Sequence, residues 1–224
     1  MGGGGSVSKD TPVFFTKPND GVVLGSSSCT EEGEPRRVSF PSNTENLHYE
    51  CELVVALGNV NGNNHNNNEA DSFLSVDQAV ECIFGFAMGI DLTRRDLQQL
   101  AKDRSAPWDL AKHFDQSAPV STITQMSLAE LELESNSSNL QLQCHVNGVL
   151  RQSCVPLQDM IWSIPEIISE LSRSYQLRPG DLIMSGTPAG VGPVSKGDQI
   201  VGRLVDGSAL VNKDVLQPVE IVIV

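Results

Sequence analysis

The chain is short of basic residues, with 15 Lys and Arg against 28 Asp and Glu, and its formal net charge is −13. Nucleic acid and anionic membrane surfaces both require clustered Lys and Arg, so the composition excludes them as partners. Long apolar runs are also missing. None approaches the ~20 residues of a membrane-spanning helix, and the Gly-rich start lacks the apolar core of a secretory signal. The five cysteines (Cys29, Cys51, Cys82, Cys144 and Cys154) include no C-x-x-C pair. An odd, unspaced set implies neither a disulfide framework nor a zinc knuckle, and it fits a reducing compartment. The expectation is a soluble intracellular protein forming one β-rich domain over residues 1–224, with residues 1–10 flexible.

The most informative stretch is Leu47-His48-Tyr49-Glu50-Cys51-Glu52-Leu53-Val54-Val55-Ala56-Leu57-Gly58, which reads as a β-strand. Alternation puts Tyr49, Cys51, Leu53, Val55 and Leu57 on one apolar face. His48, Glu50 and Glu52 share the other, which continues into Val54 and Ala56. The Cα atoms of Glu50 and Glu52 would lie about 6.6 Å apart, so their carboxylates can converge on one small ion. Without a cation they would repel, and at least one would tend to stay protonated. The functional reading is a hard, oxygen-liganded divalent site; the bland alternative is an exposed strand face. His48 with Glu50 and Glu52 could also form a facial iron site.

The remaining pattern surrounds this strand. Val13–Thr16 reads as a short strand stopped by the turn from Lys17 to Gly21, followed by a polar loop to about Asn46. The Asn-rich run Asn59–Asn68 reads as a solvated insertion. Ser75 and Gln78 form a capping box before a helix with Val76, Ala79, Val80 and Ile83 at helical spacing. Phe84–Asp91 then alternates, with Phe84, Phe86, Met88 and Ile90 on one face. Gly85, Ala87 and Gly89 form a face of small residues that ends on Asp91, a candidate third ligand. A helix begins near Thr93, with Leu97, Leu100 and Ala101 as its apolar stripe and Arg95 and Gln98 sharing another face. Trp108, Leu110, Ala111 and Phe114 read as packing residues around Lys112 and His113. Leu140–Val146 alternates strictly, with His145 on its polar face, and Asn147-Gly148 turns it into a hairpin. Ser163 and Glu166 cap an amphipathic helix of Ile164, Ile167, Ile168, Leu171 and Tyr175. The loop Gly186–Pro193 is either a tight turn or a carboxylate cradle of backbone N–H groups and the Thr187 hydroxyl. Strands near Gln199–Val205 and Val219–Val224 finish the chain.

Taken in order, several segments together resemble the fumarylacetoacetate hydrolase family, specifically its short acylpyruvate hydrolase and oxaloacetate decarboxylase members. They are Phe14–Pro18, His48–Glu52, Gly89–Gln98, Pro107–Lys112 and Ser185–Pro193. The resemblance implies a β-rich α+β fold, a rolled mixed sheet flanked by short helices, assembled as a homodimer. It implies Mg²⁺ or Mn²⁺, with Ca²⁺ as a substitute, held by Glu50, Glu52 and Asp91. Arg95, Gln98, Lys112 and Thr187 match positions that line the family's substrate pocket. The implied chemistry is hydrolysis of a C–C bond in an acylpyruvate through a metal-stabilised pyruvate enolate, with oxaloacetate decarboxylation or tautomerisation as alternatives at the same site. Lys112 and Thr187 are the implied catalytic groups, and His48 is the nearby candidate base. A cytoplasmic location is expected, or a mitochondrial one if a targeting segment precedes the chain. The family's lid segment, with a His and a Glu that activate water, has no match before Phe14. The chain is therefore expected to be truncated at the lid, and a catalytically impaired metal-binding dimer is the competing expectation.

Overall fold

The computed structural model describes residues 12–25, 34–60, 73–135, 140–207 and 213–224. The Asn-rich run lies mostly outside these residues, as does Cys29. Val13–Thr16, predicted as a strand, forms no ladder. Pro12 and Pro18 flank it without N–H donors, and the side chains of Phe15 and Lys17 are taken up by groups on other elements. A 3-10 turn over Asn19–Gly21 supplies the expected reversal. The polar stretch before Asn46 is not all loop. It holds β1 (Val22–Leu24) and β2 (Arg36–Val38), whose three residues each are too few to show alternation.

The strand predicted from Leu47 to Gly58 is divided at Glu50 into β3 (Leu47–Tyr49) and β4 (Cys51–Leu57). Helix α1 (Val76–Glu81) carries the capping box: the Ser75 hydroxyl accepts from Gln78 N–H, and Ser75 N–H donates to Gln78 Oε1 at 2.8 Å. Next come β5 (Ile83–Ile90), β6 (Thr93–Arg94), α2 (Arg95–Asp103) and α3 (Asp109–Lys112). These are followed by β7 (Ala118–Val120), β8 (Thr124–Gln125) and α4 (Leu128–Ser135). The hairpin of β9 (Leu140–Val146) and β10 (Val149–Cys154) turns on Asn147 and Gly148, whose φ values of 52° and 74° are left-handed, as a two-residue turn requires. The rest comprises α5 (Pro156–Asp159), α6 (Ile164–Ser172), β11 (Leu182–Met184), β12 (Gly192–Val194), β13 (Gln199–Asp206), β14 (Lys213–Asp214) and β15 (Val219–Ile223).

The described strands form three sheets: β1-β7-β5-β4-β11 with β8 on β5, β10-β9-β13-β15-β2 with β14 on β13, and the small sheet β12-β3-β6. The β1–β7 and β15–β2 pairs are parallel and the others antiparallel, which makes the two large sheets mixed. One apolar cluster joins them, through Leu53, Val55 and Leu57 of β4, Leu142 and Cys144 of β9, and Ile221 of β15. On the other face of β4, Val54 packs with Ala87 and Val120. Both faces of β4 are therefore buried, and Glu52 is carried into the interior with them.

Two predicted apolar stripes are corrected. On α1 only Ala79 is buried, and Val76 and Val80 are 45% and 40% exposed. On α2 the buried residue is Gln98, while Leu100 is 44% exposed. That helix turns a polar face inward because it packs beside the charged site described below. No described helix is long and apolar enough to cross a membrane.

Gly202 on β13 permits close approach of the two large sheets: a Cβ there would lie 2.6 Å from Cys51 Sγ and 2.8 Å from Val219 Cγ1. Gly202→Ala is expected to destabilise the fold by about 1–3 kcal/mol through overpacking. A urea midpoint equal to that of the wild type would contradict this packing.

Candidate metal centre

The register of β4 and β5 assembles the centre. Cys51 pairs with Ile90 and Glu52 with Gly89, and the Asp91 N–H donates to the Glu50 carbonyl at 2.8 Å. This brings carboxylate oxygens of Glu50, Glu52 and Asp91 within 4.8 Å of one another. All three residues are buried, with relative exposures of 8%, 4% and 1%. Gly89 leaves no room for a side chain beside them, since a Cβ there would lie 2.5 Å from Val54 Cγ2.

Among the described residues, three cations surround the three carboxylates. The Lys112 ammonium, at the end of α3, donates to Glu50 Oε2 at 2.8 Å, Asp91 Oδ2 at 2.5 Å and Thr93 Oγ1 at 2.6 Å. Those contacts use all three of its protons. The Phe15 ring lies 4.6 Å from the same nitrogen. Lys17 sits 2.5 Å from Asp91 Oδ1 and donates to the Leu92 carbonyl at 2.9 Å. Arg95 donates to Glu50 Oε1 and to Gln98 Oε1, each at 2.6 Å, so the predicted shared face of Arg95 and Gln98 serves to hold a carboxylate.

Charge balance around the centre is uneven. Burial opposes ionisation of Glu50, but Lys112 and Arg95 outweigh it and hold its pKa below the usual value. Burial lifts Asp91 in spite of Lys17 and Lys112. Glu52 is pushed up to about 8, first by burial and next by the charge on Asp91; among the described residues its hydrogen-bond donor is the Gly186 N–H at 2.6 Å, with no cation paired to it. A divalent cation would relieve that repulsion, and an all-oxygen donor set suits Mg²⁺ or Mn²⁺. The residues therefore fit a divalent metal.

The glycine-rich loop resolves into both of its readings at once. Gly186 turns at φ 99° and cradles a carboxylate, but that carboxylate is Glu52 of the protein itself. The Thr187 hydroxyl donates to the Cys51 carbonyl at 2.9 Å and accepts from Gln152 Nε2 at 2.9 Å. Gln152 also accepts from Cys51 N–H at 3.1 Å, so it ties the loop to the residue between two of the acids. His48 is not one of the clustered ligand atoms: its Nε2 is 2.9 Å from Asn46 Oδ1, and burial and the nearby Arg95 lower its pKa against the opposing charge of Glu50. Among the described residues, the group close enough to hold a cation is the three carboxylates without His48, so the geometry lends no support to a facial iron site.

Sequence reasoning missed Lys17, Thr93 and Gln152. Lys17 lies in coil with no periodicity to mark it, although it falls inside a segment that resembles the family. Gln152 is 1% exposed on a hairpin strand whose neighbours Arg151 and Ser153 face solvent.

The family profile described as fumarylacetoacetate (FAA) hydrolase C-terminal matches residues 4–215. The chain belongs to the fumarylacetoacetate hydrolase family. Among its relatives, a fumarylpyruvate hydrolase of Ralstonia sp is 38% identical over 202 residues, covering 90% of this chain and 91% of the relative. The mitochondrial oxaloacetate tautomerase FAHD1 of Bos taurus is 38% identical over 195 residues, covering 87% of this chain and 77% of the relative. The fold is similar to the crystal structure of fumarylpyruvate hydrolase from Pseudomonas aeruginosa in complex with Mn²⁺ and pyruvate. That likeness has a TM-score of 0.74 and 33% identity, covering 96% of this chain and 79% of the other. The family's members thus include a protein that carries a divalent metal, which agrees with the chemistry of the three acids here.

Two outcomes are expected without metal. Because the folded pKa of Glu52 (about 8) lies above its ordinary 4.5, its ionisation costs stability as pH rises between those values. Glu52→Gln should flatten that fall and raise the metal-free melting temperature at pH 8; a lower melting temperature would contradict the repulsion. Lys17→Met removes one partner of a buried ion pair and is expected to destabilise the fold by about 3–5 kcal/mol in chemical denaturation. An unchanged midpoint would show that Lys17 contributes nothing to holding Asp91.

Proposed function

We propose that the protein is a divalent-metal-dependent hydrolase that cleaves an acylpyruvate, taking up one water and yielding pyruvate and a carboxylic acid. The observation that carries this reading is the convergence of Glu50, Glu52 and Asp91 beside the buried ammonium groups of Lys17 and Lys112, with Glu50, Glu52 and Lys17 lining a cleft. Similarity to a fumarylpyruvate hydrolase over nine-tenths of the chain supports it. Glu50, Glu52 and Asp91 would hold Mg²⁺ or Mn²⁺, which when bound supplies positive charge against the oxygens of the keto acid.

The chain's own groups do the rest. Lys112 is a point charge fixed at the edge of the three acids, suited to the negative charge that grows as a pyruvate enolate leaves. It must exchange one of its protein acceptors for a substrate oxygen. Arg95 keeps Glu50 ionised and Gln98 orients Arg95. The Thr187 hydroxyl has its proton on the Cys51 carbonyl, so its part is to fix the loop that carries the Gly186 N–H. His48 is the nearest imidazole in the sequence to the ligands, and burial and Arg95, by lowering its pKa, favour the neutral form that can accept a proton.

A second reading, oxaloacetate tautomerisation or decarboxylation at the same site, is favoured by one observation. Neither reaction requires an activated water, and His48 stands outside the group of acids. Similarity to oxaloacetate tautomerases supports it too. The four described cysteines are free thiols, which supports a reducing compartment such as the cytoplasm or mitochondrial matrix. Val76 and Val80 present an apolar face on α1 that a second copy would cover, which supports a homodimer.

The test is loss of enol absorbance with acylpyruvates and oxaloacetate, in the presence of Mn²⁺ and after its chelation. Chelation is expected to abolish turnover. Lys112→Met should lower kcat by about 10²–10³-fold, with a smaller rise in KM, because the enolate charge exists mainly in the transition state. A rise in KM alone would reduce Lys112 to a binding group, and metal-independent turnover would contradict the reading.

A further inference from the structure

Two of the three acids, Glu50 and Glu52, line a cleft of about 990 Å³, far more than pyruvate itself fills and at the upper end of the range for drug-sized ligands. Glu50, Glu52 and Lys17 line the polar end. Apolar wall is supplied by Met160, Ile161 and Trp162 between α5 and α6, by Leu171 of α6 and by Tyr175 just after it. Met160, Trp162 and Leu171 are backed by the main core, so the wall is anchored. Ile161 is 61% exposed and Tyr175 49%, which leaves apolar surface free to receive a ligand.

The charges along this cleft carry the inference. Among the described lining residues Lys17 is the single cation, and its ammonium is already engaged by Asp91 and the Leu92 carbonyl. The other charged residues away from the centre are both acids. Asp159 accepts from Val155 N–H at 2.7 Å and Asp181 from Arg178 N–H at 2.7 Å, which fixes both carboxyl groups at the cleft. A substrate ending in a carboxylate would find no free cation among the described lining residues and would face two acids. An uncharged chain would find apolar wall.

We propose, resting on the acylpyruvate reading above, that the acyl arm of the substrate is uncharged and apolar, an alkyl, alkenyl or aryl chain that lies along Met160–Trp162, Leu171 and Tyr175. Dicarboxylates such as fumarylpyruvate are the disfavoured class, in contrast to the relatives named for that substrate.

The experiment compares kcat/KM of the Mn²⁺-loaded protein for fumarylpyruvate and crotonylpyruvate, which differ by a terminal carboxylate in place of a methyl group, and for a series of straight-chain acylpyruvates. Crotonylpyruvate is expected to be better by about tenfold or more, and lengthening the saturated chain should gain up to about fourfold per buried methylene. Fumarylpyruvate equal to or better than crotonylpyruvate would overturn the inference while leaving the hydrolase reading intact. Absence of turnover with every acylpyruvate would instead remove that reading, and this one with it. Ile161→Arg places a cation on the wall at an exposed position. It should raise the fumarylpyruvate-to-crotonylpyruvate ratio by about tenfold; an unchanged ratio would put the acyl arm elsewhere. Binding without turnover gives a further check. 2-Oxooctanoate should perturb tryptophan emission in the wild type and not in Trp162→Phe, where Trp108 remains, and an equal response in both would overturn the placement.

Discussion

Three carboxylates buried at one point constrain much of this structure. Glu50, Glu52 and Asp91 cannot share the interior as free anions, so the chain surrounds them with Lys17, Lys112 and Arg95, each drawn from a different segment. The coil before β1, the short helix α3 and the first turn of α2 are all held to the large sheet through these ion pairs. Elements that look irregular on their own become fixed by electrostatics, and a buried pair broken on one side leaves an uncompensated charge on the other. Glu52 is the member least well compensated, which is why it carries the raised pKa and why a divalent ion has something to gain there.

The same constraint explains how the fold serves chemistry. Lys112 has all its protons on protein oxygens, and its nearest aromatic neighbour is Phe15 rather than solvent. A preorganised cation of this type costs no reorganisation of water when negative charge appears beside it. The glycine-rich loop holds Glu52 by a backbone N–H, while Thr187 and Gln152 tie that loop to Cys51 between the acids. Polar groups around the centre are thus spent on one another, and apolar side chains line the cleft beside them.

Much of this was legible in the sequence where periodicity speaks. Alternation alone put Glu50 and Glu52 on one strand face, and the small-residue face of Phe84–Asp91 ended on the third acid. The capping boxes at Ser75 and Ser163 and the Asn147-Gly148 turn were read correctly because each is a local hydrogen-bond pattern. What escaped was tertiary. Lys17 belongs to no periodic element, and the break at Glu50 follows from the strand moving between two sheets. The inward face of α2 is polar because it meets a carboxylate, against the rule that apolar residues mark the buried stripe. Val76 and Val80 mislead in the opposite sense, as apolar residues at helical spacing that face outward.

The central claim is that the three acids form one divalent site. Titration of Mn²⁺ followed by electron paramagnetic resonance tests it most directly, since free and bound ion give distinct signals. The account predicts a single bound Mn²⁺ per chain in the wild type and none in Asp91→Asn at the same concentrations, with the variant shown to be folded by its circular dichroism. Equal binding in the two proteins would contradict it.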